Sequence, residues 1–185
     1  LIKKKISAPK LISENYSKNF IEVEDFGNKT VFDIIKKVNT NKLKIYKKIL
    51  LILIKLQKIK LKKIKNFRKK IYKVPDYSKK LLFDEARLFL DWYIPQVINK
   101  NKRFKIKKDL KKILISLIKK IQLQNTTFVH RDFHVSNLMI RKEKISIIDT
   151  QDAVYGNIAY DLASLIDDVR FKTSKNFKKI IYNNY

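Results

Sequence analysis

Apolar residues recur at two different spacings along this chain, and the change from one to the other organises it. From Leu43 to Ile64, the positions Ile45, Ile49, Ile52, Leu53, Leu56 and Ile59 hold to i, i+3, i+4 spacing with lysines between them, which predicts a long amphipathic helix. Leu81 to Ile94 carries a second stripe (Leu82, Ala86, Phe89, Leu90 and Tyr93), with Pro95 as its expected stop. Asn99 to Lys105 is polar and reads as a loop. A third helix is expected from Leu110 to Leu123, with Leu110, Ile113, Leu114, Leu117, Ile118 and Ile121 on one side. Thr30 to Val38 predicts a shorter helix, with Thr30 as N-cap and Asp33 in the first turn.

The rest has strand texture. Ser7 to Ile12 reads as a short extended piece interrupted by Pro9, and Phe20 to Glu24 alternates as a strand closed by the turn residues Asp25-Phe26-Gly27-Asn28. Thr127-Phe128-Val129, Asn137 to Ile140 and Ile145 to Ile148 are three short β-prone runs around polar loops, and Tyr160 to Val169 returns to helix. Helices, then short strands bracketing polar loops, then helix: the fold class is α+β.

Composition adds limits. A chain of 185 residues with 45% hydrophobic content is one domain or a large part of one, with enough apolar material for a core. Without cysteine it has no disulfide and no thiolate metal site, which fits a cytoplasmic location. The longest apolar run, Ile49 to Ile54, is far short of the ~20 residues that a membrane span needs. The net charge of +27 would suit nucleic acid or an anionic membrane surface. Its lysines are scattered among isoleucines and asparagines rather than gathered in one tract, so we read the charge as compositional drift, with no specific nucleic-acid partner expected.

Chemistry concentrates in the strand-rich part. Asp132 lies in a loop after the first β-prone run, Asn137 opens the next, and Asp149 ends the third. A hairpin of the last two runs would bring Asn137 and Asp149 together beside the loop of Asp132. A carboxylate and an amide carbonyl suit a hard cation such as Mg²⁺, and a further carboxylate can accept a proton from an attacking hydroxyl. Each residue alone has a plain structural alternative, as turn, cap or strand end. The joint spacing is what points to phosphoryl transfer. The two histidines, His130 and His134, have no zinc-type partners at ligand spacing and read as hydrogen-bonding organisers of the loop.

The segment His130-Arg131-Asp132, four residues, then Asn137 resembles the catalytic loop of protein kinases. It is closer still to that of the aminoglycoside and choline kinase-like phosphotransferases. Ile147-Ile148-Asp149-Thr150-Gln151-Asp152-Ala153 resembles their metal-binding strand end, and Gly156 to Leu165 the helix after it. With Phe89 to Pro95, the chain looks most like the bacterial cell-wall sugar kinases, which phosphorylate N-acetylmuramate or N-acetylglucosamine at the anomeric hydroxyl. The likeness runs from about Ser7 to Arg170. A protein kinase is disfavoured, because Asp149 is not followed by Phe-Gly.

The resemblance implies a protein-kinase-like fold, mostly the helical C-terminal lobe with a short β-hairpin catalytic segment and a remnant of the N-lobe and hinge. Residues 1–28 would end the N-lobe and form the hinge strand. Residues 29–185 would form the C-lobe, with catalytic loop 130–137 and metal-binding segment 147–153. It implies ATP and Mg²⁺ as cofactors, Asp132 as base, Asn137 and Asp149 as metal ligands, and Asp161, with His130, as support for the loop. Backbone near Glu24, Asp25 and Phe26 would meet adenine, and Gln151 and Asp152 would line the acceptor site. Thr150 stands where the family usually has an aromatic. No glycine-bearing phosphate loop or paired strand lysine precedes the hinge, since Gly27 and Gly156 are the only glycines. The expectation is therefore an N-terminally truncated kinase, nearly inactive alone, whose acceptor is an amino sugar. The alternatives are an aminoglycoside or choline-type acceptor, or an inactive basic fragment that binds nucleic acid or a membrane surface.

Overall fold

The computed structural model describes residues 1–65, 69–141 and 144–185, with Tyr16 described by its backbone alone. It divides into two compact units: Leu1–Val74 together with Thr126–Tyr185, and Pro75–Asn125. No helix among the described residues is long and apolar enough to cross a membrane.

The first unit holds every described strand. β1 (Leu11–Asn15) and β2 (Phe20–Val23) form an antiparallel hairpin with an irregularity between Leu11 and Ser13. The turn after β2 works as its residues suggest, with the Asp25 carboxylate accepting from the N–H of Gly27 at 2.7 Å while Gly27 takes φ +74°. α1 (Val31–Ile35) starts on a full capping box, in which the Thr30 hydroxyl accepts from the Asp33 N–H and the Asp33 carboxylate from the Thr30 N–H. α2 (Lys42–Gln57) is capped by Asn41 and buries Tyr46, Ile49, Leu50, Leu53 and Leu56. This is the expected stripe rotated slightly, with Ile45 and Ile52 packed at its margin.

The helix expected to reach Ile64 ends at Gln57. The Ile59 N–H turns to the Leu56 carbonyl at 3.0 Å, tightening the last turn, and the Ile59 carbonyl accepts from the Tyr155 hydroxyl at 2.9 Å. Beyond it the chain pairs as a hairpin of β3 (Lys63–Lys65) and β4 (Ile71–Lys73).

In the second unit, α3 (Lys79–Leu88) is capped by the Ser78 hydroxyl. Pro95 does not stop this helix. A single π turn over Phe89–Tyr93, closed by the Ile94 N–H on the Phe89 carbonyl, leads into α4 (Ile94–Val97) with Pro95 in its first turn. The wider turn makes room for the ring where a tight helix would clash. The polar stretch read as a loop is helical too, since α5 runs over Lys100–Lys120. Lysine and arginine are good helix formers however polar they are. Of the stripe predicted here only Ile118 is buried; Ile113 and Leu117 are each 54% exposed.

The remaining strands bear the site. β5 (Thr127–Val129) pairs antiparallel with β8 (Val154–Gly156), and β6 (Leu138–Arg141) with β7 (Lys144–Ile147), in register Leu138 with Ile147. α6 (Ala159–Ile166) and α7 (Lys175–Asn184) close the unit. Phe177 of α7 meets Tyr46 of α2 edge-on, ring centres 5.0 Å apart. One core joins α2, α6, the strands and the loop after β5, whose Phe133 and Val135 are fully buried. β4, β8 and α7 are not among the elements expected from the sequence; β4 and β8 are three residues each, too short for a period to show.

Candidate functional site

The chain enters the site from β5, whose three residues are all buried, and His130 follows fully buried as well. A buried loop start needs acceptors for its backbone N–H groups. Asp161, 1% exposed on α6, supplies both: its carboxylate accepts from the N–H of His130 at 2.7 Å and of Arg131 at 3.1 Å. Burial nonetheless pushes the Asp161 carboxyl up to about 7, against the pull of those two bonds.

Arg131 takes φ 78°, in the left-handed region, and its guanidinium donates to the Asp152 carbonyl at 3.2 Å. This turn aims the next residue outward, and Asp132 is exposed. Phe133 and Val135 then drive back into the core, so the loop is anchored on both sides of its exposed carboxylate. Those two apolar residues in a polar loop were the signal for an anchored loop, and reading only the polar members missed it.

The His130 ring donates from Nε2 to the Ile148 carbonyl at 3.0 Å, because a carbonyl can only accept. Its Nδ1 is buried without a partner, the Phe133 ring lies edge-on at 6.0 Å, and burial lowers its pKa. His130 is thus a neutral strut between the loop and the end of β7. His134 is also buried, with its pKa lowered by burial first and by Arg170 second.

Asn137 sits on a short 3-10 turn opening β6. Its Nδ2 donates to the Asp132 carbonyl at 3.1 Å, which turns the side-chain oxygen away from that bond, and its backbone carbonyl accepts from the Ile148 N–H at 3.1 Å. Asp149 follows at once in the left-handed region, φ 63°. The β6–β7 hairpin thereby brings Asn137, Asp149 and the loop of Asp132 together. One Asp149 oxygen accepts from the side-chain amide of Gln151.

This donor set can be tested against Mg²⁺. The described residues contain no cluster of three or more His, Asp or Glu side chains placed to hold a metal. An amide oxygen and a carboxylate oxygen are present instead, which fits an ion that keeps most of its shell for water and phosphate.

The other predicted positions are spread wider. Glu24 pairs with Arg141, and its backbone N–H is committed to the Lys10 carbonyl at 2.8 Å. Asp25 is taken up by the turn at Gly27, and Phe26 is buried with the Arg141 guanidinium 5.2 Å from its ring centre. Gln151 and Asp152 are exposed beside Asp149.

Three comparisons bear on this arrangement. The model of the APH phosphotransferase enzyme family matches residues 45–185. An N-acetylmuramate/N-acetylglucosamine kinase of Neisseria meningitidis is 32% identical over 56% of this chain and 31% of its own length. A kinase of the same name from Pseudomonas aeruginosa is 26% identical over 88% of the chain and 45% of its own length. The chain thus spans less than half of these curated relatives. Among solved structures, an ADP-bound aminoglycoside phosphotransferase superposes with TM-score 0.57 at 14% identity, covering 97% of this chain and 60% of that one, a likeness of fold.

Proposed function

The chain belongs to the APH phosphotransferase enzyme family, with a protein-kinase-like α+β fold, and from that premise we propose that it carries the catalytic segment of an ATP-dependent small-molecule kinase. The observation that supports this best is the Asn137 side chain, bonded to the Asp132 carbonyl and standing one hairpin register from Asp149. In this reading the exposed Asp132 carboxylate accepts the proton of the acceptor hydroxyl. The hydroxyl oxygen bonds to the terminal phosphorus as the bond from that phosphorus to the bridging oxygen breaks, and ADP leaves. Asn137 and Asp149 would hold Mg²⁺, which when bound neutralises phosphate charge. Asp161 and His130 keep the loop in place without touching substrate. Adenine would lie against the backbone of Asp25 and Phe26, since the Glu24 N–H is already engaged.

For the acceptor we take an amino sugar such as N-acetylmuramate or N-acetylglucosamine, on the strength of the named relatives. Gln151 and Asp152, beside Asp149, would meet it.

The test is ATP-dependent phosphorylation of both sugars by a protein that joins this segment to a complete N-lobe, with an aminoglycoside and choline as comparison acceptors. Asp132→Asn should lower turnover by about 10²- to 10⁴-fold with an unchanged circular dichroism spectrum. Full turnover by that variant would remove Asp132 as the base.

A further inference from the structure

The first unit contains a cavity of about 1130 Å³ between the segment Lys58–Lys65 and the chain just after Asp149. Lys3, Lys4, Lys58, Lys60, Lys63 and Lys65 are among the residues that line it, together with Thr150 and Gln151. No carboxylate is among the described residues that line it. A chain this rich in lysine will place some in any cavity, so their number alone decides little. What matters is that six of them, all exposed, line one concave space with no carboxylate among its described lining residues, so that their fields add there without local neutralisation. Lys60 is further held by its ammonium on the Thr126 carbonyl at 3.3 Å, and Lys63 and Lys65 leave the same side of β3.

Gln151 belongs to both places. It lines the cavity, and its side-chain amide donates to the Asp149 carboxylate. A molecule filling the cavity therefore lies against the segment where phosphoryl transfer is proposed.

We infer that this cavity is the subsite for a negatively charged substituent of the acceptor, so that the preferred acceptor carries a carboxylate in addition to its reacting hydroxyl. The inference rests on the kinase reading for the identity of the occupant. It separates the two sugars already named, because N-acetylmuramate bears a lactyl carboxylate and N-acetylglucosamine is neutral. It also separates both from cationic acceptors, which these lysines repel.

The experiment measures equilibrium binding of each sugar, and of ATP, to the full chain by calorimetry at low salt. The wild type is compared with a triple Lys60→Gln, Lys63→Gln, Lys65→Gln variant and with the corresponding triple arginine variant. N-acetylmuramate should bind about tenfold more tightly than N-acetylglucosamine, a preference that added salt weakens. The glutamine variant should bring the two within about twofold, the arginine variant should restore the gap, and ATP affinity should stay unchanged in both. Equal binding of the sugars, binding of neither, or a preference that survives in the glutamine variant would overturn the inference. So would a loss confined to ATP, which would give the lysines to the nucleotide. If the preference appears as described but neither sugar is phosphorylated even when the chain is joined to a complete N-lobe, the anion subsite stands and the kinase reading fails.

Discussion

Asp161 illustrates how one residue can hold a site it does not enter. Both its oxygens accept from backbone N–H groups of the loop, and Asn in its place has only one acceptor oxygen. Asp161→Asn should leave one buried N–H without a partner and cost about 1–3 kcal/mol, read from urea denaturation. The pH dependence carries a definite sign. Burial raises this carboxyl from its ordinary 3.8 to about 7, so the folded protein holds the proton more tightly than the unfolded chain. Its contribution to stability is fully present below about 3.8 and fades as pH rises through about 7. The stability advantage of wild type over Asp161→Asn should therefore shrink across that window. A constant difference from pH 4 to pH 8 would mean that Asp161 stays ionised throughout.

Among the elements, β8 and the end of α2 define each other. Tyr155 on β8 is 1% exposed and gives its hydroxyl to the Ile59 carbonyl, just past the last turn of α2. Tyr155→Phe keeps the ring and orphans that carbonyl, for an expected loss of about 1 kcal/mol. Amide exchange should quicken at Lys58 and Ile59 in particular, and uniform quickening along the chain would argue for a general packing defect instead. The elements also mark where periodicity misleads. Isoleucine at position 59 continues the helical spacing of α2, yet the helix ends at Gln57 and the chain pairs as β3 from Lys63. In the other direction, the lysines of 100–105 read as loop because they are polar, although nothing in their backbone preference opposes a helix. Pro95 was read as a stop, but the π turn before it absorbs the missing N–H.

For the whole molecule the dominant quantity is charge. At +27 the folded chain gathers like charges that the unfolded chain keeps further apart, and screening relieves that repulsion. Thermal midpoints should rise as sodium chloride goes from about 20 mM to about 300 mM, beyond which the Debye length is already short. A midpoint that falls over this range would show that attractive ion pairs outweigh the net repulsion. The described ion pairs are exposed for the most part, as with Lys80–Asp84 and Arg87–Asp91, and such pairs contribute little each.

The sequence by itself determined the α+β class, the capped start of α1, the turn at Gly27 and the chemical segment from His130 to Asp149. These depend on side-chain type at short spacing, where a hydroxyl cap, a positive φ or a loop flanked by apolar strands leaves a local signature. Tertiary structure alone decided where α2 stops, that β5 finds β8 rather than its sequence neighbour, and which N–H groups Asp161, expected from the resemblance to support the loop, takes up from 30 residues away. It also decided that lysines scattered in the sequence converge on one cavity beside Gln151. Those outcomes turn on which distant group accepts a given hydrogen bond or shares a given space, and no local period records that.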